Sequence, residues 1–386
     1  MTNAFMPQSE GDLCDVIAQA TRDAEKLAVT GGATKAGVGR DMENARRLDM
    51  RGFSGIVDYD PAELVLTVRA GTPLAEVEAL VARHEQKLAF APFDHGPIFG
   101  QPTGTSTIGG VIAAGVAGSQ RVSQGGARDH LLGFRAVSGR GEPFIAGAKV
   151  VKNVTGYDLS KLVSGSWGRL VALTEVTLKV LPRARLSVTK AVEGLTAADA
   201  VRLMSRALGS QADVSAAAHI PGQADSGASL TLLKVEGFGP SVAARCAMLD
   251  ELLSDVGSVP QLDSALADHL WSELRTLAPL SGDAPLWRIN VAPREGAGIV
   301  AAIEPLGAQW MMDWGGGLIW ATMTGDPAVI RDAATRAGGH AMLVRGPAAL
   351  RDRIGAFHPA VPGIAALEER VRRAFDPNGV FETGRF

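Results

Sequence analysis

A chain of 386 residues, 46% hydrophobic and 20% charged, has the composition of an ordinary globular protein with room for two or three domains. Its net charge of −3 offers no field for nucleic acid or an anionic membrane, and its longest apolar runs are glycine-rich and shorter than a membrane span. Cys14 and Cys246 form neither a disulfide framework nor a metal spacing, and residues 1–10 have no basic or apolar leader, so the expected compartment is the cytoplasm.

Apolar residues at 13, 16, 17, 20 and 24 keep a helical period over residues 12–26. Leu27-Ala28-Val29 reads as a short strand running into Thr30-Gly31-Gly32-Ala33-Thr34-Lys35, a turn whose successive N–H groups suit an anion nest. Residues 55–59 and 64–68 are predicted strands about the turn-forming Asp60-Pro61. Thr72 and Pro73 read as the N-cap and first-turn proline of a helix that faces Leu74, Val77, Leu80 and Val81 inward.

The most telling stretch is Thr105-Ser106-Thr107-Ile108-Gly109-Gly110, continuing through Ala114 and Gly115 to Gly118. It carries no charge. The hydroxyls stand where a helix start is capped, the N–H groups there face an anion, and the glycines let a backbone pass close to another object. A packed Gly/Ala helix explains this stretch equally well by itself; the earlier nest tilts the choice toward a phosphate and a flat apolar ring.

Further on, residues 132–138 and 143–146 form a predicted hairpin turning at 139–142, and a strand over 172–180 ends at Leu181-Pro182-Arg183. Beyond it glycines thin out and an α+β pattern begins: strand 188–192, helix 197–208, strand 229–236, helix 242–253, strands 287–291, 310–312 and 318–320, and a last helix 365–375. The predicted domains are 1–182, 183–345 and a C-terminal segment, 346–386.

The common nucleotide fingerprints fail. Gly37-Val38-Gly39 meets Met42 where a third glycine belongs, and no P-loop lysine follows a four-residue spacer. Gly296-Ala297-Gly298 with Ala301 fits a dinucleotide pattern after a strand but lacks the acidic partner about 20 positions on. The seven histidines show no metal-binding spacing, so no metal is expected.

The first glycine loop, the Thr107-Ile108-Gly109-Gly110 stretch and the Asn153-Val154-Thr155-Gly156-Tyr157-Asp158-Leu159 run to Glu175 resemble the FAD-binding domain of the vanillyl-alcohol oxidase / p-cresol methylhydroxylase (PCMH-type) superfamily. Within it, residues 149–182 and Trp310-Met311-Met312-Asp313-Trp314-Gly315-Gly316 resemble the FAD-binding E subunits of glycolate oxidases. The resemblance implies an α+β fold: a two-lobed FAD domain, then an α+β cap domain, with the C-terminal segment returning to the FAD domain. It implies that Gly31, Gly32, Ala33, Thr34 and Lys35 hold the pyrophosphate. Thr105, Ser106, Thr107, Ile108, Gly109, Gly110, Ala114 and Gly118 would line pyrophosphate and isoalloxazine, and Gly168, Val171 and Glu175 the adenosine end. The implied partners are a catalytic FAD subunit, an iron–sulfur subunit and a small 2-hydroxy acid, with peripheral placement at the inner membrane through those subunits.

Departures from the family bear on catalysis. The His-rich metal and substrate motif of the sister D subunits is missing, and the C-terminal Asn-Pro-Gly run stands as Glu382-Thr383-Gly384. No histidine occupies a flavin-attachment position, His95 and His130 being the ones near the glycine stretch, so the FAD is expected to be non-covalent. Candidate substrate contacts are Arg288 as a carboxylate clamp, with Tyr157 and Lys152; a surface-paired arginine and a packed tyrosine ring explain Arg288 and Tyr157 as well. Three readings remain at this point: an electron-relaying subunit of glycolate oxidase, a self-sufficient FAD-dependent 2-hydroxyacid dehydrogenase, and a flavin-free assembly scaffold.

Overall fold

Ser9 and Asp12 close a reciprocal capping box at the head of helix α1 (Glu10–Arg22). The helix lays Leu13, Ile17 and Ala20 against Leu27 and Leu48 of a short parallel pair, β1 (Lys26–Thr30) and β2 (Ala45–Asp49). It stops four residues short of the predicted end because Asp23 leaves helical geometry and Ala24 takes φ 51°. The computed structural model describes residues 4–148, 156–222 and 227–386.

The chain divides into two units. The first comprises Met1–Ala117, Gly125–Arg183 and Pro359–Phe386; the second comprises Gly118–Gln124 and Ala184–His358.

In the first unit, β3 (Ile56–Asp60), β4 (Val65–Arg69), β6 (Leu131–Ser138), β7 (Pro143–Gly147) and β8 (Val171–Lys179) make an antiparallel sheet of order β3-β4-β8-β6-β7, while β5 (Gln86–Lys87) pairs with β9 (Leu181–Pro182). The Gly139–Glu142 hairpin turn is as predicted. Helix α2 (Leu74–Ala82) buries Leu74, Val77 and Val81. Its N-cap is Pro73, one residue later than expected. The Thr72 hydroxyl instead donates to Arg69 O (2.7 Å) and accepts from Gly55 N (2.9 Å), tying down the loop before the helix.

The second unit is one antiparallel sheet of order β10-β12-β11-β14-β15-β13-β16, built from β10 (Leu186–Glu193), β11 (Ala216–Ile220), β12 (Leu230–Gly237), β13 (Leu286–Asn290), β14 (Gln309–Asp313), β15 (Leu318–Thr322) and β16 (His340–Arg345). Helices Ala197–Leu208, Gly239–Leu252, Gly296–Ile303 and Pro327–Arg336 bury their apolar stripes on one face, against Leu233, Trp287, Ile289, Ile319 and Leu343 among others. Alternation along β13 therefore sends Trp287 and Ile289 to the helices and Arg288 and Asn290 to the opposite face. Gly296, which opened the apparent dinucleotide pattern, is a packing glycine: a Cβ there would overlap the carbonyl of Gly316.

Candidate functional site

At the end of β1 the chain turns through Gly31 and Gly32 directly against residues 105–107. A Cβ on Gly31 would overlap the Thr107 hydroxyl, and one on Gly32 the Thr105 carbonyl. Close approach, of the Thr107 side chain at Gly31 and of backbone at Gly32, demands glycine at both positions. Ala33 takes φ 56°, and the turn continues as Ala36 N donates to Ala33 O (3.0 Å) and Val38 N to Lys35 O (3.1 Å).

The second strip of the site is helix α3 (Ile108–Ala114), capped by Thr107, whose hydroxyl accepts from Gly110 N (3.3 Å). The adjacent glycines of this helix do different jobs. Gly109 N donates to Ala70 O (2.8 Å), and a Cβ there would stand 2.7 Å from that oxygen. A Cβ on Gly110 would meet Thr107 Oγ1 alone, at 3.2 Å, so its open side faces the cleft it lines.

A third segment closes the far end of α3. Gly165 N donates to Ile112 O (3.1 Å) and Trp167 N to Ala113 O (2.8 Å), with Trp167 held at φ 58°. The C-terminal tail then arrives from far along the chain. Arg385 Nε donates to Val38 O (2.7 Å), Arg385 Nη2 donates to Lys35 O, and Arg40 N donates to Arg385 O (2.9 Å). The guanidinium lies 4.9 Å from the Phe386 ring centre and 6.0 Å from that of Trp167.

These segments enclose one cleft of about 830 Å³ including its open mouth. Val29, Met50, Ala113, Ala114, Val171 and Leu173 give it apolar walls, and its charged lining residues are two cations, Lys35 and Arg385, with no carboxylate. Both cations are buried. Burial pulls the Lys35 ammonium down to about 8, Asp94 opposing and Arg385 adding to the shift. The Ser166 hydroxyl, also in the lining, is buried without a hydrogen-bond partner. Two buried cations with no carboxylate in the lining, an orphaned hydroxyl, a glycine open to the cavity and flat apolar walls fit a ligand with an anionic linker and a planar ring, as FAD has.

Of the predicted cofactor residues, Gly31, Gly32, Ala33, Thr34, Lys35, Thr107, Gly109, Gly110, Ala114, Gly168 and Val171 line this cleft. Thr105, Ser106 and Ile108 do not; Thr105 and Ser106 back the first loop, and Ile108 is fully buried. Glu175 sits in β8 opposite Arg69 and Arg135, away from the lining. Gly118 belongs to the second unit, where its carbonyl accepts from Trp314 Nε1 (3.0 Å). Trp167, Ser166 and Arg385 line the cleft unanticipated; the one hint was glycine on either side of the Ser166-Trp167 pair. His95 stacks on Phe93 and His130 lies beside Phe90, neither in the lining.

The substrate candidates are not brought together. Tyr157 is 93% exposed and outside the cleft lining, so the expectation of a packed tyrosine ring fails for it. Lys152 falls outside the described residues. Arg288 lies in the second unit, its guanidinium over the rings of Trp314 (5.3 Å) and Trp320 (6.0 Å). The expectation of a surface-paired arginine fails for it, since among the described residues Arg288 has no carboxylate partner. Asp313 accepts from Ser119 Oγ (2.6 Å) and from Trp314 N (2.7 Å), and burial raises its carboxyl to about 6 against those bonds. Among the described residues no group of histidine, cysteine and acidic side chains is arranged for a metal.

Residues 2–147 match the family of FAD binding domains. Over 97% of its length the chain is 34% identical to the glycolate oxidase subunit GlcE of Escherichia coli, covering 96% of that protein. It is also 33% identical to the glycolate oxidase subunit GlcD of Bacillus subtilis, over 33% of this chain and 26% of that one. The fold matches p-cresol methylhydroxylase with a TM-score of 0.74, at 14% identity, covering 99% of this chain and 88% of the other.

Proposed function

Because the chain belongs to the family of the glycolate oxidase subunit GlcE, among the FAD-linked oxidoreductases, we propose that it is the FAD-binding subunit of a multi-subunit glycolate oxidase. In this reading it passes electrons between a catalytic flavoprotein subunit and an iron–sulfur subunit. The observation that carries it is the coincidence of near full-length relatedness with a cleft whose glycine, cation and apolar lining fits FAD. Support for a relay role comes from the sequence, which lacks the His-rich motif of the sister subunits. The likeness to a D subunit, over a third of the chain, points to a partner of similar build. No helix among the described residues is long and apolar enough to cross a membrane, and we place the chain in the cytoplasm, held at the inner membrane through its partners.

FAD supplies a two-electron acceptor when bound. The chain's part is positioning. The backbone N–H groups of residues 31–35 and the Lys35 ammonium hold the diphosphate, Gly110 leaves room for it, and the apolar walls keep water from the ring. Arg385 fixes the loop that carries Lys35.

The test is purification of the chain alone and with its partner subunits. A yellow chain whose flavin passes to the supernatant on acid precipitation, and which turns over glycolate with an artificial acceptor far more slowly than the complex does, is the expected result. Colour retained in the pellet rejects the non-covalent cofactor. Full activity of the chain alone favours the self-sufficient dehydrogenase, and a colourless chain that cannot take up FAD favours the scaffold.

Lys35 makes a second expectation. In the cofactor-free chain its ammonium titrates near pH 8, and an anion held beside it favours the charged form. Binding above that pH must therefore take up a proton. FAD affinity should be level below about pH 7 and fall as pH rises past 8, by at most about tenfold per unit. Flavin fluorescence titrations from pH 6.5 to 9.5 measure it; Lys35→Met should bind more weakly at every pH and lose the slope.

A further inference from the structure

Two arginines of the second unit share one indole ring. Arg121 Cζ stands 4.5 Å from the centre of the Trp314 ring and Arg288 Cζ 5.3 Å from it. Among the described residues neither guanidinium has a hydrogen bond or an ion pair. The carboxylate beside the ring is turned elsewhere: Asp313 accepts from Ser119 and from Trp314 N, and among the described residues it pairs with neither arginine. Two like charges gathered without a counter-charge are unfavourable unless an anion joins them. The strain is visible on Arg288, which burial, and then the neighbouring Arg121, draw down to about 10; it remains a cation at neutral pH.

A third group points the same way. Asn290 is two residues beyond Arg288 on β13, hence on the same face and roughly 7 Å along. Its side-chain oxygen is buried with no hydrogen-bond partner. A buried amide of that kind is normally satisfied.

We propose that Arg121 and Arg288 form a carboxylate site on the second unit, with Asn290 placed to meet a hydroxyl, so that the site takes a small 2-hydroxy acid. The guanidiniums bind the carboxylate, Trp314 keeps both in place by stacking, and the Asn290 amide accepts from the neighbouring hydroxyl. The choice of 2-hydroxy acid rests on the glycolate oxidase reading; the anion site rests on the side chains alone. Arg288 and Arg121 are binding residues in this scheme and move no proton.

The test is titration of the full chain with sodium glycolate, sodium acetate and sodium chloride at constant ionic strength, followed by tryptophan fluorescence and by calorimetry. Glycolate should give a saturable response, acetate a weaker one and chloride none. Arg121→Gln and Arg288→Gln should each weaken glycolate binding at least tenfold, and Asn290→Ala should erase the preference over acetate. Arg121 is exposed, so its variant decides the matter if Arg288→Gln fails to fold. The inference is overturned if the wild type shows no saturable glycolate response by either method, or if Arg121→Gln binds as tightly as the wild type. A chain that binds glycolate but takes up no FAD keeps this site and rejects the flavoprotein reading; a yellow chain blind to carboxylates does the reverse.

Discussion

Gly110→Val should abolish FAD binding, lowering affinity by more than a hundredfold, while Gly109→Val should first unfold the protein. The two glycines are neighbours in one helix but answer to different contacts. A side chain at 109 drives into the Ala70 backbone, 2.7 Å from a carbonyl that also takes the Gly109 N–H. Backbone cannot yield as a flexible side chain does, so the cost is paid in folding, by several kcal/mol. At 110 the protein offers one neighbour, the Thr107 hydroxyl at 3.2 Å, and beyond it the cleft. Valine there fills space the cofactor needs, and since valine is no worse a helix former than glycine, the apo protein loses only what the tight Thr107 contact costs, under about 1 kcal/mol. Flavin content per chain and thermal melting, read on one preparation of each variant, separate the cases. A Gly110→Val protein that melts early yet carries a full complement of FAD would show that residue 110 faces no cofactor.

Arg385→Met should weaken FAD binding by roughly 30- to 100-fold with a smaller effect on the second unit. Arg385 is buried and donates to the carbonyls of Val38 and Lys35, on the loop that follows β1. Methionine keeps much of the volume but removes the donor to the buried Val38 carbonyl and one of the two donors to Lys35 O, which keeps the Val38 N–H, a loss of about 2–3 kcal/mol. The loop is local, so the loss appears where the loop is needed, at the diphosphate. Titration with FAD and limited proteolysis over residues 31–42 report it, the variant being cut faster without flavin and regaining protection at high FAD. Unchanged affinity would make the tail a bystander.

Much of the fold was legible because most strands carry β-branched or alternating residues, as in Val65–Arg69, Val171–Lys179 and Leu318–Thr322. Two of those that passed unnoticed lack that signal, although His340–Arg345, with its Ala-Met-Leu-Val run, does not. Ala45–Asp49 holds one strongly apolar side chain, and Ala216–Ile220 opens on three alanines. Their strand character comes from the sheet neighbours they find. In the cleft, Gly31, Gly32, Gly109 and Gly110 could be read because glycine there is a statement about backbone approach. Which of them packs and which opens on the cavity is a matter of Cβ direction, and no spacing reveals it. Trp167 and Arg385 were invisible for a further reason. One depends on a left-handed backbone that tryptophan rarely adopts, the other on hydrogen bonds to residues about 350 positions away.

The second unit is inserted into the first, residues 184–358 lying between the strands of the glycine-lined sheet region and the tail that completes it. Lys26 Nζ donates to Gly379 O (2.6 Å) and Leu27 N to Val380 O (2.8 Å), so β1 obtains part of its pairing from the far side of that insertion. The entropy of closing a loop grows with its length, and a folded insert behaves as a much shorter tether than the same residues uncoiled. Topology then predicts an order of assembly in which the insert collapses first on its own local contacts and the tail reaches back to β1 and the Lys35 loop afterwards. Flavin uptake is then expected to come late, and a defect lodged deep in the inserted sheet should delay it without altering one residue that touches the cofactor.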